Sequence, residues 1–400
     1  MNICSLVCLT LLSFQYSHAE IIGTGFLPGD NGAANGGVSG DGSTVLGSST
    51  TGGSTPNAYI WNADTGLIAP VGTSSSSSSA ARSASYNGQF VAVGSFTDAY
   101  RWSEDLGLQD LGSIIGGSGA SVQDISSDGS VVVGRASIGV MFEAFYWTQT
   151  QGMLSLDLLP GVSSGRSIAN AVSGNGAIVV GSSTNAFGST EAIRWTVATG
   201  MIPLGTLEGA SFSSSSALGV SDDGSTIVGE SESKNGDEAF LWRQSIGFVG
   251  LGDLPGGDFE SRAIDVSGDG LIVIGVGTTG ICDEAFVWTA DDGIQRLEDS
   301  LDGLEVDFSN WQTLTAATGI SDDGRVIVGT GINSSGQQEG YRLFRYLLGD
   351  VNLDGAVNLL DVDPFISVLT SGEFQAEADI NLDGSVDLID VAPFLDLLGN

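Results

Sequence analysis

One ten-residue unit recurs seven times and constrains the fold of this chain more than any other feature. The copies are VSGDGSTVLG (Val38–Gly47), ASYNGQFVAVG (Ala84–Gly94, one residue longer), ISSDGSVVVG (Ile125–Gly134), VSGNGAIVVG (Val172–Gly181), VSDDGSTIVG (Val220–Gly229), VSGDGLIVIG (Val266–Gly275) and ISDDGRVIVG (Ile320–Gly329). Each sets Asp-Gly or Asn-Gly between two apolar runs, which is a hairpin signal. The expectation is a type I′ corner in every copy, with φ > 0 at both central residues.

The full repeat is longer than the hairpin. A variable polar loop follows, then an aromatic strand: AYIW at Ala58, AYRW at Ala99, EAFYW at Glu143, EAIRW at Glu191, EAFLW at Glu238, EAFVW at Glu284 and EGYRLF at Glu339. A Gly turn and a strand ending near Leu-Gly or Leu-Pro-Gly complete most units. The corner glycines stand at 42, 88, 129, 176, 224, 270 and 324. Four short strands in about 40–50 residues is the length of a propeller blade. The fold class predicted is mainly β: a seven-bladed β-propeller followed by a small α-helical domain with two calcium loops. Seven units can close a ring and so remove exposed sheet edges. Ile21–Gly29 (IIGTGFLPG) matches the end of a repeat, so an N-terminal strand is expected to complete the last blade. The six repeat tryptophans read as packing plugs between blades. The Ser runs at 74–79 and 213–216 read as loop tips.

Residues 21 to 345 resemble the HAF-repeat family of exported bacterial proteins, through the recurring V-S-x-D-G-x-x-V-V-G, x-A-F-x-W and L-G-x-L-P-G. The His that names that family is replaced here by Glu143, Glu191, Glu238, Glu284 and Glu339. The resemblance implies a propeller-like fold and names no chemistry.

Charge narrows the function. With 48 acidic and 12 basic residues the net charge is −36, which excludes a nucleic-acid binder that must displace counterions with basic surface. Residues 1–19 read as a signal peptide: a short apolar run, then Ser17-His18-Ala19 as a small-residue cleavage site. No later stretch is long enough to span a bilayer. The domain reading is therefore 1–19 leader, 20–345 propeller and 346–400 calcium-loop domain, in a secreted or cell-surface protein. A chain cut after Ala19 keeps no His and one Cys, Cys282. That excludes a Ser-His-Asp triad, a Cys-His pair, a His-ligated zinc and an intrachain disulfide. Cys282 itself reads as a buried small hydrophobe.

Residues 349–400 carry eleven Asp or Glu and no Lys or Arg. Two loops lie 29 residues apart: DVNLDGAVNLLD (Asp350–Asp361) and DINLDGSVDLID (Asp379–Asp390). Oxygen donors fall at positions 1, 3, 5, 9 and 12, with Gly at position 6 and a backbone carbonyl at 7, the spacing that wraps one hard cation. The first loop offers Asp350, Asn352, Asp354, the Ala356 carbonyl, Asn358 and Asp361. The second offers Asp379, Asn381, Asp383, the Ser385 carbonyl, Asp387 and Asp390. Two calcium ions are expected. Each loop runs into an apolar helix that Asp361 or Asp390 can cap, with Pro364 or Pro393 in the first turn.

This segment resembles a type I dockerin, especially the version common at the C-termini of exported planctomycete proteins. The resemblance implies calcium binding and docking to a cohesin-like or other surface protein. Loop positions 10 and 11 are small and polar in well-studied dockerins. Here they are Leu359-Leu360 and Leu388-Ile389, the candidate partner-binding residues.

Two function classes follow. The first is an exported, non-catalytic binding or structural protein whose propeller is attached through its tail to an extracellular assembly. The alternative is a polysaccharide-degrading enzyme, a glycoside hydrolase or lyase carrying a dockerin, since two carboxylates suffice for glycoside hydrolysis. Most Asp and Glu belong to the repeat, where Asp41, Asp128, Asp223, Asp269 and Asp323 are turn formers. A non-repeated site is expected in a divergent loop. Glu298–Trp311, with Glu298, Asp299, Asp302, Glu305 and Asp307, is the acidic candidate and reads first as a solvated loop. Carbohydrate adhesion would use Phe212 and Phe259.

Overall fold

A computed structural model describes residues 16–50, 56–68, 79–95, 97–210, 214–302, 304, 306–352, 357–371, 374–380 and 385–398. Most of the expected leader, the Ser run at 74–78, Phe212, Ser213, Glu305, Asp354, Ala356, Asn381 and Asp383 lie outside them. The chain divides into two compact units, one of Ile21–Asp302 with Asp307–Phe344, the other of Met1–Glu20, Gly303–Val306 and Arg345–Asn400.

Seven four-stranded antiparallel sheets form a seven-bladed propeller. Blades 1 to 6 each use four consecutive strands. They begin with the inner strands Gly32–Val38, Ala80–Ala84, Gly119–Ile125, Ser167–Val172, Ser215–Val220 and Ser261–Val266. Blade 7 is assembled from both ends of the sequence. Trp311–Ile320, Val326–Asn333 and Gln338–Leu347 are joined by Tyr16–Gly23 as the outer strand. That outer strand reaches back across Ala19; cleavage there leaves Glu20–Gly23 to pair.

The corners are not type I′. Ser221 C=O accepts the Gly224 N–H at 2.9 Å, and only Gly224, at φ +73°, is left-handed; Asp222 and Asp223 have negative φ. The other six corner glycines have φ of +69° to +74°. This is a type I turn followed by a left-handed glycine, which closes a longer hairpin loop without asking an Asp to enter the left-handed region. The Asp earns its place by side-chain hydrogen bonding. Asp223 Oδ1 accepts from Ser225 N and Ser221 Oγ, both at 2.8 Å, while Ser221 Oγ accepts from Thr226 N at 3.0 Å. Asn87 and Asn175 fill the same role in blades 2 and 4.

The last Gly of the hairpin has a different reason. Gly47, Gly134, Gly229, Gly275 and Gly329 lie directly opposite Tyr59, Phe145, Phe240, Phe286 and Tyr341. Those five aromatics are fully buried and lie over the missing Cβ. They, more than the tryptophans, seal the blades. Trp61 and Trp147 are buried, but Trp102, Trp195, Trp242 and Trp288 are only partly covered and pack at the seams. In blade 4 the glycine, Gly181, faces Ile193 instead, and blade 2 departs further. Its extra residue puts Val93 in the glycine slot, opposite Tyr100, and Tyr100 is only half-buried.

Every inner strand carries a β-bulge at the same place, between Asn35/Gly37, Ala81/Ser83, Val122/Asp124, Ala169/Ala171, Ala217/Gly219, Ala263/Asp265 and Ala317/Gly319, and the longer strand of blade 7 has two more, at Trp311/Thr313 and Leu314/Ala316. A bulge bends its strand and re-aims the next side chain. Beyond the bulges, the corners join around the axis through main-chain bonds. Asp41 N donates to Tyr86 O, Tyr86 N to Ser127 O, Ser127 N to Gly174 O and Gly174 N to Asp222 O. Asp222 N donates to Gly268 O, Gly268 N to Asp322 O, and Asp322 N to Gly40 O. Every blade is tied to the next and the circle is closed.

In the second unit, a 3₁₀ turn (Leu359–Asp361) leads into α1 (Val362–Ser371), and α2 (Val391–Leu398) follows the second loop. Phe365 and Phe394 stack at 4.1 Å with 10° between planes. Around them Leu348, Val351, Ala378 and Ile380 form a small core.

Candidate calcium loops and an axial acid cavity

The two tail loops bury their first and last carboxylates. Asp350, Asp361 and Asp390 are fully buried and Asp379 is 4% exposed. Asp361 Oδ1 accepts from Asn352 N at 3.0 Å and Oδ2 from Asn358 N at 2.8 Å. Asp390 Oδ2 accepts from Asp387 N at 2.9 Å. The helix cap falls earlier than the sequence suggested. Asn358 caps the 3₁₀ turn by accepting from Leu360 N, with Asp361 completing a reciprocal box, and Asp387 likewise accepts from Ile389 N. The reason is the extra turn before each helix, which moves the first free N–H groups to positions 10 to 12. Pro364 and Pro393 sit in the first turns of α1 and α2.

Four buried carboxylates in a segment with no Lys or Arg fit a hard divalent cation. Oxygen ligands at these loop positions suit calcium. The residues present that would hold it are Asp350, Asn352, Asn358 and Asp361 in one loop, and Asp379, Ser385, Asp387 and Asp390 in the other. Among the described residues no cluster of three or more His, Cys, Asp or Glu is assembled as a metal site. Leu359, Leu360, Leu388 and Ile389 are 78%, 67%, 80% and 64% exposed, an unusual display for large apolar side chains.

The propeller holds a second acidic feature that the sequence reading missed. At the corner end of the axis lies a cavity of about 100 Å3. Its wall includes Asp124, Asp222, Asp265 and Asp322, with Tyr86 and Ser83. No Lys, Arg or His lines it among the described residues. Asp124 and Asp265 follow the bulges of blades 3 and 6. Asp124 Oδ1 accepts from Ile125 N at 2.8 Å and Oδ2 from Val172 N at 2.7 Å. Asp265 Oδ1 accepts from Val266 N at 2.8 Å and Oδ2 from Ile320 N at 3.1 Å. Burial raises both carboxyls, against the pull of these N–H groups; Asp265 is pushed up to about 7, with Asp124 and Asp322 adding repulsion. Asp322 rises to about 6, from burial and then from Asp222, Asp323 and Asp41. The signal was a break in the repeat: the residue before Val-Ser is Gly, Ser or Ala in five copies and Asp in two.

The divergent-loop candidate is tied down instead. Arg296 pairs with Glu284, with Glu298 at 3.2 Å and with Asp299 at 3.4 Å, and Glu298 Oε1 accepts from Leu314 N. Asp307 accepts from Ser309 N on the surface. The non-repeated carboxylates that converge on one cavity therefore lie on inner strands and corners. Phe259 is half-buried. Cys282 is not the buried hydrophobe expected: it is partly exposed, because it falls in the turn before Asp283–Thr289 and not in the strand. The recurring Glu is a hydrogen-bonding residue at the blade edge. Glu143 accepts from Ser155 Oγ, Glu238 from Gly252 N and Glu339 from Asn333 Nδ2.

The dockerin type I domain family model matches residues 348–393. No curated protein sequence matches the chain significantly. Among solved structures, an oligogalacturonate lyase from Vibrio parahaemolyticus superposes with a TM-score of 0.53 at 12% identity, covering 81% of this chain and 93% of that one. An oligogalacturonate lyase in complex with manganese gives 0.51 at 12% identity, with the same coverage. TolB from Acinetobacter baumannii gives 0.43 at 16% identity, covering 69% and 62%. At these identities the likeness is one of fold. No helix among the described residues is long and apolar enough to cross a membrane.

Proposed function

We propose that this is an exported, non-catalytic binding or structural protein. Its propeller is attached by a calcium-binding, dockerin-like module to an extracellular or cell-surface assembly. In this reading residues 1–19 are a leader, 20–345 an HAF-repeat propeller and 346–400 a dockerin-like domain of the planctomycete kind, holding two calcium ions. The observation that carries it is the paired burial of Asp350, Asp361, Asp379 and Asp390 in a segment without basic residues, inside the stretch matched as dockerin. Calcium would neutralise those groups and fix both loops. The docking surface is then Leu359-Leu360 and Leu388-Ile389, whose exposure suits an apolar patch on a cohesin-like or other surface protein. The polysaccharide-degrading alternative needs two carboxylates facing a sugar. Arg296 and backbone N–H groups already occupy Glu298 and Asp299.

The test is retention of exported and surface proteins on the immobilised full chain, in calcium and in chelator, beside a Leu359→Glu/Leu388→Glu variant. A partner kept only in calcium and lost in the variant is the expected result. A partner kept equally in chelator would sink the docking role, and release of unsaturated oligosaccharides from pectic polymers would favour the enzyme.

A further inference from the structure

Two half-buried carboxylates that line the axial cavity of the propeller have no role in the reading above. They lie on opposite parts of the ring, in blades 3 and 6, each just after its strand's bulge. Each reaches across a blade seam. Asp124 of blade 3 accepts the Val172 N–H of blade 4, and Asp265 of blade 6 accepts the Ile320 N–H of blade 7. Other copies put Gly, Ser or Ala at this position, so the repeat does not require a carboxylate there. We propose that Asp124 and Asp265 are proton-operated latches across these two seams, holding the propeller more tightly when protonated than when ionised.

The groups facing them are all acidic or neutral. Asp41 and Tyr86 come from blades 1 and 2, Asp222 from blade 5, and Asp322 and Asp323 from blade 7; blade 4 offers only Val172 and Gly174. Arg325 pairs with Asp323, and among the described residues no Lys, Arg or His lines the cavity, so ionising both latches places two like charges around one small space. Protonation removes that repulsion, and the carbonyl oxygen of each neutral carboxyl still accepts the seam N–H.

The sign follows from linkage. A carboxyl raised in the folded state binds its proton more tightly there than in the unfolded chain. Its contribution is fully present below the unfolded value near 4. It is lost as pH rises through the folded value of about 7, and is gone above it. Exposed Asp and Glu finish titrating by about pH 5; within the window from pH 5.5 to 8 Asp322, raised to about 6, titrates beside Asp265 and is common to wild type and variant.

The experiment is urea unfolding of the full chain from pH 5.5 to 8 in chelator, followed by tryptophan fluorescence. All seven Trp lie between residues 61 and 311, so the signal reports the propeller. For one latch proton the unfolding constant should rise by up to roughly tenfold per pH unit and level off above about 7. Asp265→Asn keeps an oxygen for the Ile320 N–H, at the expense of the Val266 N–H, and should reduce that slope. An identical pH profile in wild type and Asp265→Asn overturns the proposal. If Asp265→Asn does not fold, Asp124→Asn takes its place, and infrared spectra of the wild type in heavy water at pH 6 decide. A protonated carboxyl band supports the latch, and its absence overturns it.

Discussion

Substituting Gly229 by Ala should destabilise the propeller through sterics alone. Gly229 has no left-handed backbone, so strain in φ is not involved. A Cβ there would overlap the Ser216 carbonyl oxygen and stand 3.0 Å from both the Ala217 Cα and the Phe240 Cε1. Two of those three neighbours are main chain on the inner strand of blade 5, and they cannot retreat without opening the ladder. Phe240 is fully buried and has nowhere to turn. Overpacking of this kind costs about 3 kcal/mol, roughly a hundredfold in the unfolding constant. Gly66→Ala is the matched control. Gly66 sits at φ +67° with nothing within 4 Å of an added methyl, so its cost is left-handed strain of about 1 kcal/mol. Adding Phe240→Leu to Gly229→Ala relieves the ring contact and leaves the carbonyl overlap, so recovery should be partial. The assay is urea unfolding read by tryptophan fluorescence. If Gly229→Ala costs no more than Gly66→Ala, the glycine is not there to admit the aromatic, and the account of the repeat fails. Blade 2 already shows the direction, with Val93 in the slot and Tyr100 displaced outward.

The other predictions concern the tail and the corners. Calcium added to the chelator-treated chain should raise the helical circular dichroism signal, since α1 and α2 are the α-helices of the described residues. Asp350→Ala with Asp379→Ala should abolish both that change and the calorimetric heat. Asp223→Asn should shift stability at pH 7 by less than about 0.5 kcal/mol, because Asn87 and Asn175 hold the same corner, while Asp223→Ala should cost about 1 kcal/mol in urea unfolding. The Ser225 N–H and the Ser221 and Ser225 hydroxyls hold the Asp223 carboxyl below its ordinary value. Its contribution is therefore complete above about pH 4 and lost as pH falls through the lowered value, opposite in sign to Asp265. A corner that tolerates Ala as well as Asn would refute the side-chain role.

The blade count was legible because Asp-Gly corners, buried Val-Val runs and A-F-x-W strands each have one economical structure, repeated. Strand closure by residues 21–23 was legible for the same reason. The turn class was not: Asp-Gly is compatible with both a type I′ corner and a type I turn with a left-handed glycine, and only loop length separates them. The ranking of Phe240 over Trp242 as the sealing residue depends on which strand face meets Gly229, a cross-strand register absent from any one segment. The axial acids escaped notice because Asp124 and Asp265 are 141 residues apart and look like ordinary polar exceptions in half-buried strands. Their convergence is a product of sevenfold closure. The loop ligands stood out because a calcium loop is local, with every donor within twelve residues.

The circle of corner-to-corner bonds is made only of main-chain atoms. Its members are Gly40, Tyr86, Ser127, Gly174, Asp222, Gly268 and Asp322, with Asp41 donating in place of Gly40. Nothing in such a circle depends on what these residues carry as side chains, so the axis is held by a part of the molecule that mutation seldom reaches. Four of the seven positions already carry an aromatic, a hydroxyl or a carboxylate at the mouth, Tyr86, Ser127, Asp222 and Asp322, while Gly40, Gly174 and Gly268 leave the room those side chains fill. A new specificity in this scaffold can therefore arise one residue at a time, at the single place where all seven blades meet.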